Sequence, residues 1–190
     1  MKQISTSRQY STRSIYAATM IGAGFIFLGI VLFMILKPTQ TTAQEYSAIP
    51  AKVNYPAPEL ELTDLQGKAV SVKDYLGQVT LINMWATWCP PCKAEMPTLE
   101  AFYKKYKDDG FVIVGINDGE TADLVSAFVQ DYRLTFPVWL DEQYLSEKAF
   151  KTINLPSSFV IDRTGTVRLM WIGAISQQTL EKYVSPIIRE

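Results

Sequence analysis

The chain has 190 residues, of which 48% are hydrophobic and 19% are charged, so its composition is that of a globular protein rather than a disordered one. The formal net charge of −1 gives no reason to expect nucleic acid as a partner. The sequence contains no histidine, which excludes histidine-dependent metal sites and Cys-His proteases. Two cysteines are too few for a disulfide scaffold or for a four-ligand zinc site, so we expect neither a metal nor another cofactor.

The N-terminal region has the pattern of a membrane anchor. Residues 1–14 are basic, and residues 15–36 are apolar and uncharged. This second stretch reaches the roughly 20 residues that a bilayer requires and exceeds the core of a cleaved signal peptide. We therefore predict an uncleaved, single-pass transmembrane signal anchor. A cleaved signal peptide, with a weak cleavage site at residues 41–43, is the alternative.

The charges around this segment predict its orientation. The basic residues 1–14 are expected to stay in the cytoplasm under the positive-inside rule, so that the rest of the chain is extracytoplasmic. Disulfides form and persist in such a compartment. Residues 37–55 are rich in Pro, Thr and Ala without apolar periodicity and are interpreted as a linker, and residues 56–190 as one domain.

Apolar periodicity predicts the elements of this domain. Its first half is expected to hold a hairpin, a buried central strand, a helix and a second buried strand, at residues 60–72, 79–86, 90–107 and 111–117. Its second half is expected to hold a helix, a short strand, a short helix, a hairpin and a last helix, at residues 121–134, 136–141, 144–150, 157–173 and from Ser176 to a disturbance at Pro186. Such alternation predicts an α/β fold with a mixed sheet.

In the helix predicted at residues 121–134, the apolar residues Leu124, Ala127, Phe128 and Tyr132 follow helical spacing. This spacing supports the helix.

Both cysteines lie in the stretch WATWCPPC, residues 85–92. Cys89 follows a buried strand, and Pro90 is suited to the first turn of a helix, where N–H groups lack intrahelical partners. The helix N-terminus favours an anion, which predicts a reactive thiolate at Cys89. We predict that Cys89 attacks as the nucleophile and that Cys92 resolves the mixed disulfide. The alternative is a structural pair of buried apolar cysteines.

Two stretches resemble a known family: NMWATWCPPCKAEMP (83–97) and LPSSFVIDRTGTV (155–167). They are similar to the thioredoxin superfamily and, more narrowly, to its membrane-anchored TlpA/ResA-like thiol–disulfide oxidoreductases, some of which serve cytochrome c maturation. The resemblance implies a thioredoxin-like fold, in which a central mixed β-sheet is flanked by helices and preceded by one transmembrane helix.

The resemblance also implies roles for residues around the cysteines. Pro156 should be a cis-proline opposite them, in a loop that pairs with the substrate backbone. Substrate recognition is expected on the surface around Trp88, Pro90 and Leu155.

Glu95 matches a family glutamate three residues after Cys92, on the same helix face, where it could accept the Cys92 proton. A solvated surface charge is the alternative reading of Glu95. Asn83 stands where cytoplasmic thioredoxins have a buried aspartate, which makes Glu95 more plausible as the proton acceptor.

Four functions follow as hypotheses. The first is a reductant of disulfides in exported proteins, with apocytochrome c as one candidate. As the family implies, its electrons would come from an integral-membrane dithiol donor. The others are a disulfide-forming oxidant, a thiol peroxidase and a non-enzymatic membrane-tethered binding domain. The absence of a histidine between the cysteines favours the reductant, and Ala86, where peroxiredoxins have Thr or Ser, disfavours the peroxidase.

Overall fold

The computed structural model describes residues 28–29 and 47–190. Leu28 and Gly29 are helical and belong to a separate unit of the chain. Apart from these two, the predicted cytoplasmic and transmembrane segments, residues 1–36, lie outside the described residues. Within the described part, no helix has both the length and the apolar character needed to cross a membrane.

Residues 47–190 form a thioredoxin-like α/β fold around one mixed sheet, as predicted. Its strands β1 to β8, numbered in chain order, are Ala51–Pro56, Glu61–Asp64, Ala69–Ser71, Val79–Trp85, Phe111–Asp118, Val138–Asp141, Ser157–Ile161 and Thr166–Ile172. The sheet order is β1-β8-β7-β4-β5-β6-β2-β3. Strands β4, β5 and β6 are parallel, and the remaining pairs are antiparallel.

Helices cover both faces of this sheet. In chain order, α1 to α5 are Pro90–Tyr106, Ala122–Tyr132, Leu145–Phe150, Gln177–Tyr183 and Ser185–Ile188. Strand β4 lies at the centre, and all of its residues are buried. Leu81 and Trp85 pack into one apolar cluster, while Ile82 and Met84 pack into the other. The continuous apolar run of β4 follows from this burial on both faces.

The domain begins earlier than the predicted residue 56. Strand β1 lies mostly within the predicted linker, residues 37–55, and pairs antiparallel with β8. The chain is already tied to the domain at Ala48, whose N–H donates to the Ala174 carbonyl over 2.8 Å. Strand β1 is an edge strand with mostly exposed or half-buried side chains, so its sequence carries no strong apolar alternation.

Helix α2 is present as predicted, and only part of its apolar side chains is buried. Leu124 is 58% exposed, and the buried side chains of this helix are Val125 and Phe128. Phe128 packs on Trp85 at a ring-centroid distance of 4.7 Å. Because apolar residues occupy several neighbouring positions of α2, more than one stripe fits the helical period, and only packing on the sheet selects between them.

Candidate redox site

Three chain segments meet at the carboxyl end of the central strand β4: the loop after β4, the loop after β5 and the segment before β7. Strand β5 runs parallel to β4 with Asn117 opposite Trp85, so the loop after β5 emerges at this same edge. Strand β7 runs antiparallel with Ser157 opposite Met84, so it starts there. The carboxyl ends of parallel strands are a common place for functional sites in α/β proteins.

Cys89 and Cys92 form a disulfide, with an S–S distance of 2.07 Å and a Cα–Cα distance of 5.3 Å. Cys89 is the N-cap of α1 in extended backbone conformation, and its Sγ accepts the backbone N–H of Cys92 over 3.3 Å. The two prolines that follow occupy the first helical positions, where their missing N–H groups leave no bond unmade.

The two sulfurs differ little in burial. Cys89 is 3% exposed and Cys92 is 0% exposed. Cys89 nevertheless stands on the outer side of the turn, because its neighbours Trp88 and Pro90 are exposed. A thiolate on Cys89 would face the helix N-terminus and the Cys92 N–H, and both favour an anion.

Glu95 lies inside the protein, one turn along α1 from Cys92. It is 1% exposed, so it is not a solvated surface charge. Its Oε1 accepts from Asn83 Nδ2 over 2.8 Å, and its Oε2 accepts from the backbone N–H of Ile175 over 3.2 Å. Burial raises the pKa of Glu95 to about 8, and these two hydrogen bonds act in the opposite direction. The carboxyl group therefore exchanges its proton in the neutral to mildly alkaline range.

Asn83 connects Glu95 to the neighbouring strand. Its Nδ2 also donates to Ser158 Oγ on β7 over 3.0 Å. Asn83, Glu95 and Ser158 are all buried. Helix α1 and strands β4 and β7 are thereby joined by one polar network next to the redox pair.

The Leu155–Pro156 peptide bond is cis, as the resemblance implied. Pro156 is buried and directly precedes β7, so it lies at the sheet edge where β4 ends, and Gly173 N–H donates to its carbonyl over 2.8 Å. Around this edge, Trp88 is 65% exposed and Leu155 is half-buried. These residues offer apolar surface beside the cysteines.

Glu120 is a residue of this site that was not predicted from the sequence. This side chain follows β5 and accepts hydrogen bonds from Thr87, two residues before Cys89. Its place just after a buried parallel strand is the signal that could have identified it, because such loops share an edge of the sheet. No group of three or more Cys, Asp or Glu residues in the described part of the chain is arranged to hold a metal ion.

Comparisons with known proteins agree with this geometry. The family model described as AhpC/TSA family matches residues 53–170. The thiol-disulfide oxidoreductase ResA of Bacillus thuringiensis subsp. konkukian is 40% identical over 131 residues, covering 69% of this chain and 76% of the relative. The protein of that name from Bacillus subtilis is 34% identical over 131 residues, covering 69% of this chain and 73% of the relative.

A solved structure agrees as well. The thiol:disulfide interchange protein, thioredoxin family protein, from Chlorobium tepidum superposes with a TM-score of 0.64 at 29% identity. The match covers 73% of this chain and 99% of that protein.

The fold and the cysteine pair together define an enzyme class, the thiol–disulfide oxidoreductases of the thioredoxin superfamily. The chain belongs to the AhpC/TSA family, and within the oxidoreductase class it is a TlpA/ResA-like protein.

Proposed function

We propose that this oxidoreductase is an extracytoplasmic reductant, with Cys89 as nucleophile and Cys92 as resolving thiol. One observation carries the assignment of roles. Cys89 is the N-cap of α1 and its sulfur accepts a backbone N–H, whereas Cys92 is fully enclosed within the first turn. A thiolate is therefore favoured at Cys89.

The reaction proceeds through a mixed disulfide. The Cys89 thiolate attacks one sulfur of a substrate disulfide, a bond forms between them, and the second substrate sulfur leaves as a thiolate and is protonated. Cys92 then gives up its proton and attacks Cys89 Sγ, which releases the first substrate sulfur as a thiol. The substrate gains two electrons and two protons, and the cysteine pair becomes the disulfide.

Glu95 is the proposed proton partner of Cys92. In the disulfide form its carboxyl group is protonated at neutral pH, because burial has raised its pKa to about 8. When a donor opens the disulfide, Glu95 supplies a proton to the Cys92 sulfur, and it takes the proton back when Cys92 attacks the mixed disulfide. A group with a pKa near the working pH suits this exchange.

The proposed substrates are disulfides in exported proteins, and haem-binding cysteine pairs of apocytochrome c are one candidate. Support comes from the relatives named ResA and from the absence of histidine between the cysteines. We further propose that residues 15–36 anchor the chain with residues 1–14 in the cytoplasm. The oxidised pair would then be reduced by an integral-membrane dithiol donor.

Substrate contact is assigned to the surface of Trp88, Pro90, Leu155 and Pro156. Trp88 and Pro90 are exposed next to Cys89, and the Leu155–Pro156 segment lies at the same sheet edge. Apolar surface of this kind can hold a polypeptide against the sulfur without reading its full sequence.

A trapping experiment tests the roles of the two cysteines. Cys92→Ser should accumulate mixed disulfides between Cys89 and exported proteins, because the resolving thiol is missing, and mass spectrometry would identify the partners. Cys89→Ser is the matched control and should trap nothing. If Cys89→Ser keeps full activity in cells, the oxidoreductase role fails and the alternative of a tethered binding domain is favoured.

A further inference from the structure

Glu120 forms hydrogen bonds with the segment that precedes Cys89. Its Oε2 accepts the backbone N–H of Thr87 over 2.6 Å, and its Oε1 accepts the Thr87 hydroxyl over 2.5 Å. Asn117 makes two hydrogen bonds with Glu120. Its Nδ2 donates to the carboxylate Oε2 over 2.8 Å, and its Oδ1 accepts the Glu120 backbone N–H over 3.3 Å. A bidentate carboxylate with charged hydrogen bonds is a strong local restraint.

The segment bound by Glu120 is short and links the end of β4 at Trp85 to the N-cap at Cys89. Its two ends are held by the core, because Ala86 and Cys89 are buried and the Cys89 N–H donates to the Ala86 carbonyl over 3.3 Å. Between them, Thr87 is half-buried and Trp88 is 65% exposed, so packing restrains the middle of the segment less than its ends. The hydrogen bonds from Thr87 to Glu120 restrain this middle part, two residues before the sulfur that accepts the Cys92 N–H.

We propose that Glu120 is a positioning residue for the thiol–disulfide exchange, and that its two hydrogen bonds with Thr87 set the reactivity of the Cys89 sulfur. This inference rests on the proposed role of Cys89 as nucleophile. The hydrogen bonds of Glu120 are to Thr87 and Asn117 and not to the reacting sulfurs. Glu120 acts through Thr87 by holding Cys89 where the helix N-terminus and the Cys92 N–H stabilise a thiolate.

The chain contains a matched arrangement elsewhere. Glu100 on α1 accepts the backbone N–H of Thr135 over 2.8 Å and the Thr135 hydroxyl over 2.7 Å. Thr135 precedes β6, which runs parallel to β5, so it lies toward the amino ends of the parallel strands and away from the cysteine edge. Substitutions there lose the same type of bonds without loosening the Cys89 segment.

Charge and position predict opposite effects on Cys89. Replacing Glu120 by Gln removes a negative charge, which alone would make a nearby thiolate easier to form. Loosening Thr87 makes the thiolate harder to form, because its hydrogen bond and its place at the helix end are lost. Thr87→Val removes the hydroxyl contact and keeps the carboxylate charge, so the two variants together separate these effects.

The experiment measures the alkylation rate of Cys89 against pH in a Cys92→Ser background, where Cys89 is the only thiol. Thr87→Val should raise the pH midpoint by about one unit, which is about a tenfold loss of thiolate below the midpoint. Glu120→Gln should raise it by less, because the lost negative charge acts in the opposite direction. In the chain with both cysteines, disulfide-reducing turnover should fall in parallel. Glu100→Gln and Thr135→Val should lower the melting temperature and leave the midpoint in place.

Two results would overturn the positioning role. One is an equal midpoint shift in the control pair, which would mean that general loosening of the fold is responsible. The other is an unchanged midpoint in Thr87→Val together with an unchanged or lowered one in Glu120→Gln, which would leave Glu120 as a charge only. The parent chain separates these results from failure of the proposed function, since only in the latter case would it lack both turnover and a depressed Cys89 midpoint.

Discussion

The Asn83 side-chain amide donates a hydrogen bond to Glu95 Oε1 over 2.8 Å and so ties the centre of the sheet to the helix that bears the redox pair. Both residues are fully buried. An amide in this place can donate to a carboxylate, and it does not add a second negative charge. The site thus keeps one buried carboxyl group near Cys92, and its protonation responds to pH in the neutral range.

Replacement of this carboxyl group tests its proposed role in proton transfer. Glu95→Gln preserves shape and should lower disulfide-reducing turnover by about a hundredfold, because general acid–base groups contribute gains of this size. The pH–rate profile should also lose its inflection near pH 8. Glu100→Gln, in the same helix, is the control and should keep both. Turnover and an inflection that survive in Glu95→Gln would assign Glu95 to structure alone.

The raised pKa of Glu95 also predicts how stability depends on pH. The pKa of Glu95 in the folded protein is about 8, whereas that of a free Glu side chain is 4.5. Between these values the folded state binds more protons than the unfolded state, so the Glu95 contribution is fully present below about pH 4.5 and is lost as pH rises toward 8.

Urea unfolding of the disulfide form at several pH values measures this effect. The stability of the parent chain minus that of Glu95→Gln should fall by roughly 1.4 kcal/mol per pH unit across the interval. The subtraction removes other titrating groups such as Asp118, whose pKa is raised to about 6 by burial and neighbouring carboxylates. A flat difference would mean that Glu95 titrates normally in the folded protein.

The early start of the domain makes a prediction about truncation. A chain beginning at residue 57 lacks β1 and leaves the outer edge of β8 unpaired, whereas one beginning at residue 47 keeps the pairing. The shorter chain should unfold at lower temperature and aggregate more readily, because exposed strand edges pair with other chains. Calorimetry and light scattering compare the two. Equal melting temperatures would mean that β1 contributes nothing to the stability of the domain.

Hydrogen peroxide should be a poor substrate. Ala86 offers no hydroxyl three residues before Cys89, and the hydroxyl of the adjacent Thr87 is bound to Glu120. The reduced protein should therefore react with peroxide no faster than an ordinary accessible thiol of similar ionisation. Peroxide consumption with dithiothreitol as reductant measures this, with Cys89→Ser as the blank. Rapid turnover that depends on Cys89 would restore the peroxidase hypothesis.

The sequence predicted most of the fold because the strongest signals are local. The unbroken apolar run of β4 identifies a strand buried on both faces, and Ser176 caps the last main helix through its Oγ, which accepts the Thr179 N–H. Strand β1 was not predicted, because an edge strand is mostly exposed and carries no strong apolar pattern. The helix α2 was predicted, but its inward face was not, because its apolar residues fit more than one stripe and contacts across the fold decide between them.

The residues of the site likewise differ in whether a local sequence signal predicts them. Cys89, Cys92 and Glu95 lie within seven consecutive residues, so helix geometry alone relates them. The contact between Thr87 and Glu120 joins residues 33 positions apart, and that between Asn83 and Ser158 joins residues 75 positions apart. Such contacts arise from strand order, which one sequence does not specify.

The reduction potential of the Cys89/Cys92 pair tests the central claim most directly. The domain would be equilibrated in dithiothreitol buffers, with the redox state read from the fluorescence of Trp85 and Trp88, which precede Cys89 by four residues and one residue. We expect about −250 mV or below, in the range of thioredoxin, so that the pair donates electrons. A value of about −120 to −180 mV, as in strong oxidants and isomerases, would contradict the reductant role and favour disulfide formation.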